Sequence, residues 1–436
     1  MKKNTGYIIT TAAFVVFLFG LAVANIFYSP DDFSETENRM LAKFPKLTAE
    51  SLFGEDGTFC EDTEEYINDR FVLRDTFTAI NASMDYLTLK RDIGGIWVCK
   101  DGYYMTKCAP SEVDEKTVGL NVNAVEKFFE NTEGNKYFML VPSATLIYGD
   151  KLPAFADEFD QAATVDGIFA GVTSGTNIDV RGAFFASDEQ LYYRTDHHWT
   201  SDGAYTAYLE FCKATGTEPL TKDDFTVETV TSEFQGTHDS KVLLPFAAKD
   251  EIKLYIPKKD ETLKVSHGDE TSDTLYVMSA LEKKDKYQVF LGGNYGRVDI
   301  ETGVKNGKRL LIVKDSFANS FVPFLTSHYE KIVMLDLRFF PSGKAALREL
   351  IDEVRPTDTL VLFNIANFIS DPTLRRLGAY TPNDGVGRAA RFLKERENGA
   401  GTFYSDSVTE CRFGPHSPYI YKTQPYATIS VRLFSL

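Results

Sequence analysis

The sequence predicts an α/β fold: a parallel sheet with helices on both faces, interrupted by a β-rich insertion and preceded by a membrane-spanning helix. Three observations predict it. Short apolar runs recur at 137–142, 310–313, 332–337 and 360–365, interrupted by Asp336 and Asn364 near the ends of the last two. Helical patterns separate them at 201–214, 318–328 and 345–354. Strands that are apolar on both sides are buried on both faces, as in a parallel sheet between two helical layers. Thirdly, the stretch from Tyr7 to Phe27 is rich in Ile, Val, Phe, Leu and Ala. About 20 such residues, at about 1.5 Å each, cross a bilayer core.

The elements follow in order. Residues 1–29 form an N-terminal membrane anchor or signal. Lys2 and Lys3 stay inside, which sends the rest of the chain outward. Ala22-Val23-Ala24 offers small residues for signal cleavage, but the apolar run is long for a signal, so an uncleaved anchor is expected. Either reading exports the chain. A buried core helix fits poorly with the terminal position and the flanking lysines. Residues 30–92 read as a linker with amphipathic helices. Tyr66, Ile67, Phe71, Leu73, Phe77, Ile80, Met84 and Leu87 recur at helical spacing there. Residues 93–380 form the main domain. It opens with a strand at 93–98, a turn and a second strand near Tyr103 and Tyr104. A weaker strand falls at 178–180. The β-rich insertion spans about 216–300, with strands expected at 225–227, 253–256 and 287–291, and ends in Gly292-Gly293-Asn294-Tyr295-Gly296. Glycines there allow positive φ and close backbone approach. Residues 381–436 are expected to be an atypical, disordered tail: from Gly385 on they hold seven Lys or Arg against four Asp or Glu and no useful period.

The chemistry points to two places. Thr195-Asp196-His197-His198-Trp199 gathers an acid and two imidazoles, although the chain has only six His. An acid beside an imidazole can fix its tautomer while the imidazole takes a proton from a nucleophile. The nucleophile is expected at Ser316, just past the apolar strand 310–313, because ligands bind beyond the carboxyl ends of parallel strands. Asp336 and Asn364 fall at similar ends. In an extended segment Asp196 and His198 share a side and His197 points away. A Ser at a strand–helix junction can also be a plain N-cap, and Asp196, His197 and His198 can be read as a metal site. Adjacent histidines rarely serve one ion, and no further ligand is evident, so no metal or other cofactor is expected. Trp199 either walls a sugar site or sits in the core. The Ser316 N–H is the first oxyanion donor expected. A second comes from Gly292, Gly293 or Asn294, or from the Asn364 side chain, whose bland role is a structural hydrogen bond.

Asp196-His197-His198-Trp199 followed by Lys314-Asp315-Ser316-Phe317 resembles the DHHW family of bacterial surface proteins, relatives of the alginate O-acetyltransferases. Two further stretches match, Phe33-Ser34-Glu35-Thr36-Glu37-Asn38-Arg39 and Tyr66-Ile67-Asn68-Asp69-Arg70-Phe71-Val72-Leu73-Arg74-Asp75. The resemblance covers roughly residues 30 to 375 and leaves the tail unmatched. It implies an SGNH-hydrolase-like (flavodoxin-like) domain, and it implies Asp196, His198 and Ser316 as catalytic groups. It also implies O-acetylation of a cell-surface polysaccharide through an acetyl-serine, with acetyl groups supplied by a partner membrane-bound acyltransferase. An SGNH-type acetyl-esterase acting on surface glycans, or a non-catalytic glycan-binding scaffold, is the alternative.

Composition narrows the partners. The 436 residues carry a net charge of −16, which repels a phosphate backbone and argues against nucleic acid. The five Cys, at 60, 99, 108, 212 and 411, form no CxxC pair, so neither a disulfide framework nor a zinc knuckle is implied. Cys99 and Cys108 read either as a short bridge or as buried thiols.

Overall fold

The computed structural model describes residues 2–54, 58–259 and 262–382. The expected tail falls outside the described residues, apart from its first two. The chain begins with helix α1 (Lys2–Phe27), in which Thr5–Phe27 is long and apolar enough to cross a membrane and is not covered by the rest of the protein. Helices α2 (Phe59–Asp69) and α3 (Arg74–Leu87) follow. Asp69 is buried and accepts from both Arg39 and the Ala42 N–H, while Glu37 takes Arg39 and Arg74. This charged knot fixes the linker against the two helices. The hairpin expected after residue 92 is present as β1 (Ile96–Val98) and β2 (Tyr104–Thr106), paired antiparallel.

The main sheet is built from the apolar runs. β3 (Asn135–Val141), β4 (Thr176–Asp179), β10 (Arg309–Lys314), β11 (Lys331–Leu335) and β12 (Asp358–Asn364) are parallel, in the spatial order β11-β10-β12-β3-β4. Alternate residues face opposite layers. Leu310 and Ile312 join the core beneath α6 (Ser201–Thr215), with Ala204, Tyr208 and Phe211. Leu311 and Val313 join the opposite core with Val125, Phe128 and Phe129 of α4 (Glu115–Asn131), Val165 and Ile168 of α5 (Gln161–Gly171), and Leu350 of α8 (Lys344–Val354). The uniform apolarity of these strands is therefore the consequence of burial on both sides.

The insertion is more closely merged with the sheet than its composition suggests. β5 (Phe225–Phe234) and β6 (Asp250–Pro257) form a separate antiparallel pair. β7 (Leu263–His267), β8 (Glu270–Ser272) and β9 (Arg297–Thr302) instead extend the main sheet on the outer side of β11, all antiparallel, giving eight strands in all. The strand expected at 287–291 is a 3-10 turn over Lys286–Val289. Tyr287 and Val289 are buried, and Gln288 donates to Asp285 at 2.9 Å to close the turn. The helix expected at 318–328 is likewise short. α7 (Ala318–Phe321) gives way to a 3-10 segment, Val322–Leu325, where Pro323 has no N–H to continue an α-helix.

The chain leaves β10 for β11 on one side, while β12 lies on the other. The carboxyl end of β10 is thus a switch point, where neighbouring connections diverge and leave a crevice. Ser316 sits there.

Candidate active site

Ser316 lies two residues past β10 and is 9% exposed. Its Oγ is 2.7 Å from Nε2 of His198, and His198 Nδ1 is 2.6 Å from Oδ1 of Asp196. Ionised Asp196 can only accept, so the His198 proton sits on Nδ1 and Nε2 accepts from the Ser316 hydroxyl. Asp196 is fully enclosed. Burial pushes its carboxyl up, but His197, His198 and the bond from His198 outweigh that, and it is held well below the usual carboxylate range. The structure thus brings together Asp196, His198 and Ser316, across 118 residues of chain between His198 and Ser316.

The local geometry differs from an extended segment. Residues 194–198 bend between the paired positions Tyr192 and Trp199. The His198 N–H donates to Asp196 Oδ1 at 2.9 Å, an Asx turn that folds the acid back over its own chain. This turn, and not the period of a strand, puts the acid against the ring. His197 does not point away altogether: its ring centroid is 3.8 Å from that of His198, and its Nδ1 is 2.8 Å from Thr237 Oγ1.

Several contributors were not foreseen. Thr237 gives Asp196 Oδ2 both its N–H, at 2.8 Å, and its hydroxyl, at 3.0 Å. Gly236 precedes it, and a Cβ there would fall 2.2 Å from Asp196 Oδ2; only glycine lets the backbone approach. Tyr287 stacks on His198 with centroids 3.8 Å apart and planes 9° apart. Its hydroxyl is 3.0 Å from Ser320 Oγ, in the helix after Ser316. His238 packs behind His197, with ring centroids 6.0 Å apart. Its Nδ1 faces the Tyr104 carbonyl at 2.8 Å and so carries the proton, leaving Nε2 to accept from Thr106. Burial lowers it to about 4. Thr237 and His238 lie in a polar stretch of the insertion with no periodic signal, so nothing local singled them out.

The remaining candidates sort by contact. Trp199 is completely buried, donating to Phe317 O at 3.1 Å and Ser320 Oγ at 2.9 Å. It braces the Ser316 turn from inside the core and forms no surface wall. Asn364 donates to the Val141 and Pro142 carbonyls, and its Oδ1 caps the next helix through the Ala366 N–H at 3.0 Å. Both amide atoms are used, which is the structural role and not a free donor. Gly293 adopts φ +134°, and Asn319 Nδ2 donates to its carbonyl. Asn294 Oδ1 accepts from Lys314 Nζ at 2.9 Å and from Asn319 at 3.2 Å. These contacts draw the glycine-rich loop onto the helix that begins just after Ser316. Lys314 is itself buried, which pushes it down to about 8 against the pull of Asp336. Cys99 and Cys108 are free thiols, pushed up by burial to about 12 and about 11.

Asp196, His197 and His198 present ligand atoms within 4.8 Å of one another, close enough to surround an ion. The Asp196 oxygen and the His198 nitrogen that would do so are already engaged with each other at 2.6 Å. The donor set therefore fits a proton relay better than a cation.

A doubly covered parallel sheet with a serine at the switch point and a facing Asp-x-His turn defines an SGNH-hydrolase-like α/β protein. The model of the family described as DHHW protein matches residues 179–335, the stretch that holds Asp196, His198 and Ser316. Among solved structures, a DHHW family protein from Eubacterium siraeum is 23% identical, with TM-score 0.55, covering 67% of this chain and 97% of that one. Bacillus cereus PatB1, solved with a sulfonyl adduct, is 21% identical, with TM-score 0.53, over 64% of this chain and 97% of its own. Similarity also extends to the O-acetyltransferase domain of Pseudomonas putida AlgJ, at 12% identity and TM-score 0.42, covering 70% of this chain and 99% of that one. No curated protein matches the chain.

Proposed function

We propose that this chain is an acyl-transfer enzyme that works outside the membrane, O-acetylating a cell-surface polysaccharide through an acetyl-Ser316 intermediate. The observation that carries the reading is the continuous relay from Asp196 through His198 to Ser316, with spacings of 2.6 and 2.7 Å. Ser316 Oγ attacks the acetyl carbonyl carbon as its proton passes to His198 Nε2. The oxyanion is met by the Ser316 N–H and by a donor from the 292–294 loop. As the tetrahedral adduct collapses, His198 returns the proton to the leaving oxygen, and acetyl-Ser316 remains. A sugar hydroxyl then gives its proton to His198 and attacks the same carbon. Collapse re-protonates Ser316 and releases the acetylated sugar. Asp196, ionised and fully hydrogen-bonded, keeps the ring in the tautomer both steps require and steadies the imidazolium. Water in place of the sugar gives an acetyl-esterase.

Topology supports the same reading. The apolar helix preceded by Lys2 and Lys3 is read as an anchor with the remainder of the chain outside. The acetyl donor is read as a membrane-bound acyltransferase that passes acetyl groups outward.

The test is Ser316→Ala. Wild-type protein given an artificial acetyl ester should turn it over and carry one acetyl group on the Ser316 peptide. The variant should lose both while melting at an unchanged temperature. Turnover within tenfold of wild type would refute Ser316 as nucleophile. Acetyl transfer to a soluble oligosaccharide, scored against water, separates transferase from esterase.

A further inference from the structure

Among the described residues, the apolar stripe along helix α3 (Arg74–Leu87) is largely uncovered, with Phe77 alone meeting another ring, that of Phe71 at 6.0 Å. Leu73, Phe77, Ile80, Met84 and Leu87 follow one another at steps of four, three, four and three residues, and each is 40% to 72% exposed. Leu73 is the left-handed residue just before the helix; within it, Phe77, Ile80, Met84 and Leu87 keep the heptad alternation of a coiled-coil seam, not the broader face of a helix lying on its own core. The opposite side already has a partner: Ala82 is buried, and Tyr86 packs with it in the cluster that holds Ile93, Ile96 and Val98. The positions flanking the stripe are Arg74, Thr76, Asn81 and Ser83, polar and free of repeated like charge.

We propose that the stripe packs against the same stripe of a second copy, so that the protein is a side-by-side dimer. The five side chains would remove roughly 500 Å² per copy from water, about 1,000 Å² in total, which is the threshold for a biological interface and the size of a weak one. Charge separates this occupant from a lipid surface. Residues 59–87 hold seven Asp or Glu against two Arg, net −5, which an anionic leaflet repels. Two heptads are weak alone, and the anchor answers this. Asn25 Oδ1, at the far end of α1, accepts the Val72 N–H at 2.9 Å, so the stripe starts beside the end of the membrane helix. Copies held in one bilayer meet at raised effective concentration. That last point rests on the anchored reading above; the pairing of the stripes does not.

Cysteine cross-linking of the full chain in zwitterionic vesicles tests this, in a Cys60→Ser, Cys411→Ser background. Ile80 is the midpoint of the stripe, so Ile80→Cys brings two thiols together whether the helices run parallel or antiparallel. Its oxidised dimer should exceed that of Asp75→Cys, exposed on the far side of the helix, by at least tenfold. Phe77→Glu with Met84→Glu should abolish the cross-link and leave esterase turnover unchanged. Equal cross-linking at both positions, or none at Ile80, overturns the dimer. Strong quenching of a fluorophore at position 80 by brominated lipid, without cross-linking, assigns the stripe to the membrane instead. Intact mass reports whether residues 1–29 are retained. If they are removed, the same comparison on the released chain at high concentration decides the stripe apart from the anchor.

Discussion

Gly236→Ala is the most incisive substitution in this site, because Gly236 touches no candidate substrate. A Cβ at this position would lie 2.2 Å from Asp196 Oδ2, 2.3 Å from its Cβ and 2.6 Å from its Cγ. Asp196 is the rigid partner: it is buried, and it is tied by the His198 N–H, the His198 ring and both donors of Thr237. The carboxylate must therefore retreat by about 1 Å, a displacement that costs about 10²-fold in rate where alignment matters, or about 2.7 kcal/mol of transition-state stabilisation. The assay is kcat/KM for an acetyl ester in wild type, Gly236→Ala, Asp196→Gly and the double variant. Asp196→Gly removes every atom that the new Cβ would strike, so if Gly236 acts only by allowing Asp196 its place, the double variant is no slower than Asp196→Gly, since neighbours that act as a unit are not additive. Losses that multiply, or a Gly236→Ala enzyme within threefold of wild type, would refute the reasoning.

Other outcomes follow from the same geometry. His198→Ala should lose about 10³-fold or more in turnover, as for removal of a triad base, and His197→Ala much less; with wild-type turnover measured after chelation, a loss restored by Zn²⁺ would revive the metal reading. His238 is held neutral at about 4, below the roughly 6.5 of an unfolded His. The unfolded chain therefore binds its proton first, and the stability is whole above about pH 6.5 and falls towards pH 4, by up to about 3 kcal/mol. His238→Gln should flatten the denaturant-midpoint-versus-pH curve in that window, and an unchanged slope would remove His238 as its source. Protease added to intact cells should digest the 93–380 domain; full protection would contradict the export reading.

What the sequence disclosed, and what it hid, has a physical pattern. Asp196, His198 and Ser316 were legible because two rare residue types cluster and because an apolar run ends in a small nucleophile. The parallel strands were legible because burial on both faces leaves no polar alternation. Thr237, Gly236 and Tyr287 were hidden because their roles exist only across long loops: Thr237 meets Asp196 over 41 residues. Tyr287 sat in a run whose apolarity suggested a strand, yet that apolarity serves a single turn that lays a ring on His198. β7, β8 and β9 read as part of an insertion because nothing local says that an antiparallel edge will join a parallel sheet. Trp199 and Asn364 were ambiguous for another reason. A buried polar group needs a partner, and only the fold shows whether that partner is a substrate or, as here, the backbone.

The residues just before Ser316 show why its position is specified so firmly. Lys314 closes β10, Asp315 follows it directly, and both are buried. Lys314 reaches Asn294 and Asn319, each at 2.9 Å, tying the glycine-rich loop to the helix after Ser316. Asp315 accepts from the Phe317 N–H at 2.9 Å, the Asn364 N–H at 2.7 Å and Asn367 at 2.8 Å, tying the Ser316 turn to the end of β12. Burial disfavours both charges, lowering Lys314 to about 8 and raising Asp315 above its ordinary value. Apolar residues of the same size would fill the space at no such cost, but they could not reach three separate elements at fixed distances. The turn that carries Ser316 is thus tied to the glycine-rich loop by one group and to the end of β12 by another, and burial disfavours the charge of both. A site that only had to be stable would not be built this way; one that must hold an oxygen at 2.7 Å from an imidazole would.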